Sequence, residues 1–440
     1  MRDPTLKSSA IACSAVTLMI CASGCSSSST PAASNPMMQG GADAGVDAAT
    51  APPPGSHIVT FTMNETIPAG GEEFKCQYVA LPAGQAYVIA GEHDYTLGSH
   101  HLELYRTDLT AIPAGQEAVA DCYEAASTIM SHVRGVIYGA QEPHGAIDFP
   151  SGVGLQTQSQ EVLIFQTHYI NAGAQPLDAQ ATVNLTLSDG TGITQHAGML
   201  FFYDPFIDVP TGARAQAAMR CPIPNDITLL TASAHYHARG ITYSAFLDPA
   251  SGPNAATPFY TSTDWLHPAS LAQPMTIPAG SRVRFNCGYD NTMGTQEYFQ
   301  GPSAIDNEMC MFVGIYYPDM GESVNLCSGV ARGDGGASEP AADMFGTGMA
   351  TCMQTLTCTG KCPPGSAPSV SAGNTTVDPC WQKCFVDSCP STMDVLYPLF
   401  GCIETNCATE CAAAGSSACT SCVIAKCPAQ GVACENAACN

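Results

Sequence analysis

The chain has 440 residues, enough for two or three domains of ordinary size. Lys and Arg total 14 against 38 Asp and Glu, a net charge of −24; a surface this acidic repels phosphate backbones and excludes nucleic acid as an expected partner. Charged residues make up only 12% while glycine (41) and proline (32) are plentiful, which favours many short strands and turns over long helices.

In chain order, residues 1–25 read "MRDPTLKSSAIACSAVTLMICASGC": a basic start, an apolar run, then small residues, the pattern of an export signal. "ASGC" resembles a bacterial lipobox, which implies that Cys25 is the lipidated first residue of the mature chain; Ser26, where an aspartate would retain it inside, implies the outer membrane or cell surface of a Gram-negative-type bacterium. Plain secretion by an ordinary signal peptide is the alternative. No other stretch is long and apolar enough to span a bilayer. Residues 26–55 are Ser, Ala, Pro and Gly with few large apolar side chains, and predict a flexible tether.

From residue 56 to 330 strands alternate with turn residues: "QAYVIAG", "HLELYR", "EVLIFQTHYIN", "ATVNLTLS", "GMLFFYD", "ITLLTASAHYH", "ITYSAFL", "RVRFNCGY" and "MCMFVGIYY". Their spacing predicts an all-β fold of two tandem antiparallel β-sandwiches, jelly-roll-like, over 56–192 and 193–330, with a seam near 189–196. "IPAG" recurs at Ile67, Ile112 and Ile277, with "LPAG" at Leu81; each "IPAG" is followed by Cys76, Cys122 or Cys287 and reads as a turn entering a strand that carries a half-cystine.

A linker over 331–351 leads to residues 352–440, which hold 14 cysteines spaced as in "CWQKCFVDSC" and "CIETNCATEC". Cysteines four or five apart share one helical face, so this module predicts disulfide-stapled helical hairpins, serving as a spacer or a docking module. A cysteine-rich metal store is the alternative. Of the 23 cysteines, Cys13, Cys21 and Cys25 lie in the signal region; the other 20, an even number in an exported chain, read as disulfides.

Eleven histidines remain to be placed. His235 and His237, in "SAHYHARG", stand at i and i+2, so a strand points both imidazoles from one face. His100 and His101 are adjacent and would point to opposite faces of a regular strand. To share a metal, the backbone must bend there or the rings must use different nitrogens, and Gly98-Ser99 just before them gives the chain that freedom. His168 follows Val162, Ile164 and Gln166 on one face of its strand. Met309 adds a thioether, and a His, His, Met set favours copper, particularly Cu(I), over zinc. Taken singly, Met309 reads equally as a core methionine, and His57, His93, His132, His144, His196 and His267 are scattered.

The ordered pattern HH, QTHY, HxH, EMC…YY resembles the copper type II, ascorbate-dependent monooxygenases, the family of peptidylglycine α-hydroxylating monooxygenase and dopamine β-hydroxylase, over roughly residues 57–328. The resemblance implies two coppers per chain, one on each sandwich, facing a shared cleft. His100, His101 and His168 would bind the electron-donating copper; His235, His237 and Met309 would bind the copper that meets O2. Gln166 matches a family glutamine near the first copper and is expected to order its surroundings. The resemblance also implies the disulfides Cys76–Cys122, Cys221–Cys327 and Cys287–Cys310, the last holding Met309 in place. In that family ascorbate supplies two electrons, and one atom of O2 enters a substrate C–H bond as hydroxyl. The expected partners are therefore a small-molecule substrate, O2 and a reductant, with the membrane reached only through the lipid anchor.

The departures narrow the substrate. Ser233 stands where the peptide-hydroxylating member has its carboxylate-gripping arginine, and Met311 and Val313 stand where it has an asparagine and a tyrosine. The carboxylate clamp is absent, and an uncharged or amine substrate is expected. Arg239, two after His237, is the candidate for a relocated anchor. Two rival readings use the same scaffold: a non-catalytic copper-binding surface lipoprotein for storage or delivery, and a structural envelope protein with no tight metal.

Overall fold

The computed structural model describes residues 55–124, 127–321, 325–327, 346–363, 369–371, 374–411 and 416–439. Cys25, the signal segment, all but the last residue of the tether and most of the 331–351 linker lie outside them.

The first half contains β1 (Ser56–Ile67), β2 (Glu72–Ala80), β3 (Tyr87–Tyr95), β4 (Ser99–Thr107), β5 (Ala120–Asp121), β6 (Val133–Ala140), β7 (His144–Asp148), β8 (Val153–Gln156), β9 (Val162–Ile170) and β10 (Leu177–Ser188). One sheet runs β1-β10-β3-β8, with β7 on β3, and the other runs β5-β2-β9-β4-β6. Met63, Val183 and Leu185 from the first meet Leu102, Leu104 and Phe165 from the second to form the core. β9 is buried along all but its last residue. Leu163 and Phe165 point into that core, while Val162 and Ile164 point outward into a second apolar cluster with Tyr78, Tyr105 and the Cys76–Cys122 disulfide. Both faces of this sheet are thus apolar, and the i, i+2 series on its outer face continues to Gln166 and His168.

The second half contains β11 (Gln195–Tyr203), β12 (Asp208–Val209), β13 (Arg214–Pro222), β14 (Ile227–Tyr236), β15 (Gly240–Asp248), β16 (Tyr260–Ser262), β17 (Met275–Ile277), β18 (Arg282–Asp290), β19 (Tyr298–Phe299), β20 (Cys310–Tyr317) and β21 (Leu326–Cys327). β11-β20-β14-β17 forms one layer, with β21 on β11, and β13-β18-β15-β16 forms the other. Leu200, Phe202, Ala234, Phe312 and Tyr316 pack between them against Met219, Tyr243 and Phe285. The disulfides Cys221–Cys327 and Cys287–Cys310 lie in this core.

The expected seam falls between β10 and β11, but the sandwiches are not separate there. β8 pairs with β11 in parallel, Val153 with Gln195 through Leu155 with Ala197, so one sheet continues through the junction. The sheets are antiparallel as expected, apart from two parallel pairs, this one and β11 with β21. A parallel pair needs a long connection, and β9 and β10 supply it for the first. The recurring "PAG" phrase is a turn. Gly70, Gly84, Gly115 and Gly280 take φ of 67°, 85°, 81° and 78°. Pro68, Pro113 and Pro278 carbonyls accept from the amides three residues on, at 3.0, 3.0 and 3.1 Å. Positive φ at that turn position favours glycine, which accounts for the repetition.

The cysteine-rich module contains α1 (Cys352–Thr359), α2 (Pro379–Val386), α3 (Met393–Cys407), α4 (Ser417–Lys426) and α5 (Pro428–Asn436). The hairpins are stapled rung by rung: Cys358–Cys384 and Cys362–Cys380 join α1 to α2. Cys402–Cys427, Cys407–Cys422 and Cys411–Cys419 join α3 to α4. Cys352–Cys434 and Cys389–Cys439 complete the set, so these sulfurs are committed to disulfides rather than to a thiolate metal store. The module is not a free spacer: Phe385 stacks on Phe206 at 4.1 Å, and Phe385, Met393 and Leu396 join the core of the second sandwich. Disulfides in these numbers mark an exported chain, matured in an oxidising compartment. Among the described residues no helix is long and apolar enough to cross a membrane.

Candidate metal centre

The outer faces of two sheets, one from each sandwich, confront each other, and the histidines meet between them. His168 in β9 is flanked by Phe74 of β2 and His101 of β4. The bend anticipated at the adjacent histidines is a β-bulge. Ser99 pairs with Tyr169 and His101 with His168, which leaves His100 as the extra residue on β4. Gly98, entering the bulge, has φ of 108°. Both adjacent rings consequently reach the same cluster, with centroids 5.3 Å apart. His235, next to last in β14, lies opposite Met311, and His237 follows just beyond the strand.

All five rings form a single cluster. His100, His101 and His168 lie 5.0–5.3 Å apart by centroid, and His235 and His237 are 5.3 Å apart. The two sets also touch: His100 is 4.7 Å from His235 and 5.3 Å from His237, and His101 is 5.2 Å from His235. The nitrogens of His100, His101 and His235 converge to within 4.8 Å of one another, a trio drawn from both halves. The two ligand sets, expected one on each sandwich across a shared cleft, adjoin here, with rings of the two sets 4.7–5.3 Å apart.

Four of the five rings have one nitrogen held by an acceptor. His168 Nε2 donates to Glu72 Oε1 (2.8 Å), and His101 Nε2 to Gln166 Oε1 (3.2 Å). His235 Nδ1 donates to Gln141 Oε1 (2.6 Å), and His237 Nδ1 to the Asn307 carbonyl (3.3 Å). Each acceptor fixes a tautomer and leaves the other nitrogen as a lone pair: Nδ1 on the first two, Nε2 on the last two. His101 Nδ1, His168 Nδ1, His237 Nε2 and both nitrogens of His100 are buried with no hydrogen-bond partner among the described residues. An unsatisfied buried polar group costs about 1–3 kcal/mol, so this concentration is not what a structural core of histidines presents.

Burial, reinforced by the neighbouring rings, holds His100 and His235 well below the usual histidine range. Burial likewise brings His237 down to about 3, and brings His168 down to about 4 against the pull of Glu72. Neutral imidazole is the metal-binding form. For Glu72, burial alone would raise the carboxyl, but hydrogen bonds from His168, Ser303 and Ala304 bring it down to about 2, so it stays ionised. Imidazoles suit copper, zinc, iron or nickel, and a thioether added to such a set would favour copper. Met309 lines the same cavity wall as His101 and His235. Its carbonyl accepts from Tyr289 Oη (2.8 Å), and the next residue is pinned by Cys287–Cys310.

Gln166, expected near the first ligand set, does contact His101. Arg239 is not a substrate anchor: its guanidinium lies 3.5 Å over Tyr298 and donates to Glu308 Oε1 (3.2 Å). The scattered histidines are partnered elsewhere: His93 satisfies both nitrogens on Tyr138 Oη and the Glu142 carbonyl, and His267 Nε2 donates to the Ser99 carbonyl beside His100 (3.3 Å). The supporting groups Glu72, Gln141, Asn307 and Trp265, the last 5.4 Å from His100, carry no signal in the sequence because each is distant from its partner along the chain.

No family model and no curated protein matches this chain. Among solved structures, the major capsid protein P2 from bacteriophage PM2 aligns with 59% of this chain and 97% of its own, at 11% identity and a TM-score of 0.24. PNGase F, a glycosylasparaginase from Flavobacterium meningosepticum, aligns over 59% and 94% at 8% identity and a TM-score of 0.24. Likeness this slight carries no argument about function.

Proposed function

We propose that this chain is an exported copper monooxygenase that hydroxylates a C–H bond of a small substrate, using O2 and a reductant such as ascorbate. What supports the reading is the cluster of five buried histidines, four of them with unpaired nitrogens and three with nitrogens converging to within 4.8 Å, with Met309 on the adjoining cavity wall. Copper, when bound, supplies one-electron steps and O2 activation. The chain's own residues do the rest. Glu72, Gln166, Gln141 and the Asn307 carbonyl orient four rings. Burial favours the neutral form of His100, His168, His235 and His237, and Met309 offers a softer donor where substrate can approach. Overall, substrate C–H, O2, two electrons and two protons give the alcohol and water. His100, His101 and His168 would hold one copper, and His235, His237 and Met309 the other. Cys25 would tether the chain by lipid to the outer membrane or cell surface.

A second reading, a copper store or carrier, draws on the complete burial of His100, His168 and His237, which suits retention as well as catalysis. Metal content and turnover separate the two. The full chain is expected to hold about two coppers by elemental analysis and to consume O2 when given ascorbate. Met309→Ala should slow that uptake about a hundredfold, ~2.7 kcal/mol of barrier, while the histidines keep copper. Copper without O2 uptake favours the store. Little copper, or mostly zinc after copper is offered, overturns both.

A further inference from the structure

One face of an antiparallel sandwich sheet normally meets the core while the other meets water, giving apolar-in, polar-out alternation. The β11-β20-β14 layer departs from this. Its inner face carries Leu200, Phe202, Phe312 and Ala234. Its outer face is set by register: Phe201 and Ser233 flank Val313, Met199 flanks Ile315, and Tyr203 and His235 flank Met311. Cross-strand partners share a face, so these residues form one continuous, largely apolar floor with His235 at its edge. All of them line a cavity of about 840 Å³ between the two sandwiches, roofed by Val136, Ile147 and Phe149 of the first half. His101, His235 and Met309 stand on its wall. The volume falls within the ~300–1,000 Å³ of small-molecule sites.

Most polar groups on the wall are already engaged; Gln300 Oε1, buried without a partner, and the exposed carboxylate Asp148 are exceptions. Gln166 Oε1 accepts from His101 and Tyr105, Glu103 accepts from Tyr105 Oη, and Glu142 accepts from the Ser270 amide (3.0 Å). Gln141 accepts from His235 and donates to the Ala234 carbonyl. Among the described residues no lysine or arginine lines the cavity. An anion entering it would lose its hydration without gaining a partner, and a cation would find Glu103 and Glu142 already bonded and Asp148 exposed to water, where a pair gains little. An apolar molecule gains about 25 cal/mol for each Å² it buries.

We propose that this cavity binds a sizeable, uncharged, largely apolar molecule and delivers it to the histidine cluster. That the bound molecule is the substrate rests on the function proposed above; that the cavity binds this class does not.

Three naphthalene probes test it on the full-length, metal-free protein by fluorescence: neutral N-phenyl-1-naphthylamine, its anionic relative 8-anilino-1-naphthalenesulfonate, and cationic N-(1-naphthyl)ethylenediamine. The neutral probe should bind at one site at least tenfold more tightly than either charged one. Val313→Arg and Met199→Arg, each checked for fold by circular dichroism, should weaken it at least tenfold. Copper(II) loading should quench the bound probe. Equal or tighter binding of a charged probe overturns the proposal, as does wild-type binding in both arginine variants. Binding without quenching in copper-loaded protein overturns the placement beside the cluster. Binding with no copper uptake leaves the cavity assignment standing and removes the monooxygenase reading.

Discussion

Four of the five rings combine burial with one chosen acceptor, and a nitrogen left unpaired separates a ligand from a structural histidine. His93 is also buried, yet both its nitrogens are satisfied. His100 has the opposite balance, fully buried with neither nitrogen paired. Another buried titratable group lies close by but outside the cluster. Glu65 in β1 accepts from Thr167 Oγ1 of β9, while its Oε2 is buried and unpaired. Burial pushes its carboxyl up to about 7, against the Thr167 hydrogen bond and Lys75, and with Glu73 adding to the rise. A carboxyl whose folded pKa is raised contributes stability that is fully present below the unfolded pKa, 4.5, and is lost as pH rises through about 7. Glu65→Gln removes that dependence. Between pH 4.5 and 7 the unfolding free energy of the wild type should fall relative to the variant, by on the order of 2–3 kcal/mol. Parallel denaturant titrations of the two proteins should diverge across this window; curves that stay parallel place the Glu65 titration elsewhere.

The strands were legible to different depths. The i, i+2 spacing of His235 and His237 is a property of a strand, and "GSHH" showed where β4 could bulge, because glycine beside two adjacent histidines permits the extra residue. "GMLFFYD" and "MCMFVGIYY" are apolar without alternation, and such runs line both faces of a sheet. The rungs of the cysteine module were visible as spacing, because helices repeat every three to four residues. Its docking was not visible. Gln382 of α2, 1% exposed, accepts from the amides of Ile207 (3.3 Å) and Gln300 (2.8 Å), contacts that span 175 and 82 positions. Gln300 in turn bridges to Glu308, beside Met309. Gln382→Leu should therefore leave two buried amides without an acceptor, costing about 1–3 kcal/mol. It should also speed amide hydrogen exchange over 298–309 while leaving β1 and β10 unchanged. Uniform exchange across the chain would show that the module merely rests against the sandwich.

At the scale of the whole molecule, two sandwiches become one site only if their outer faces are held together. β8 with β11 joins them along one edge. At the cluster one link is Glu72, which belongs to the first half and whose side chain is 16% exposed. Its carboxylate accepts from His168 Nε2 on its own side (2.8 Å) and from Ser303 Oγ and the Ala304 amide on the other (both 2.6 Å). Ser303 is 231 positions away, beyond the reach of any local pattern. Hydrogen bonds to a charged acceptor are worth about 1.5–3 kcal/mol each, though not additively. Glu72→Ala should lower the unfolding free energy by roughly 2–4 kcal/mol and raise hydrogen exchange over 303–308. Glu72→Gln should cost less, because its amide oxygen still accepts. The loss should also release His168 from its fixed tautomer, so copper bound at the His100, His101 and His168 set should be weakened more than copper at the other set. If Glu72→Ala unfolded at the wild-type denaturant midpoint, the other links between the halves, the parallel strand pair and the Gln141 and Glu142 bonds, would be holding the sandwiches, and the closeness of the two histidine sets would rest on them.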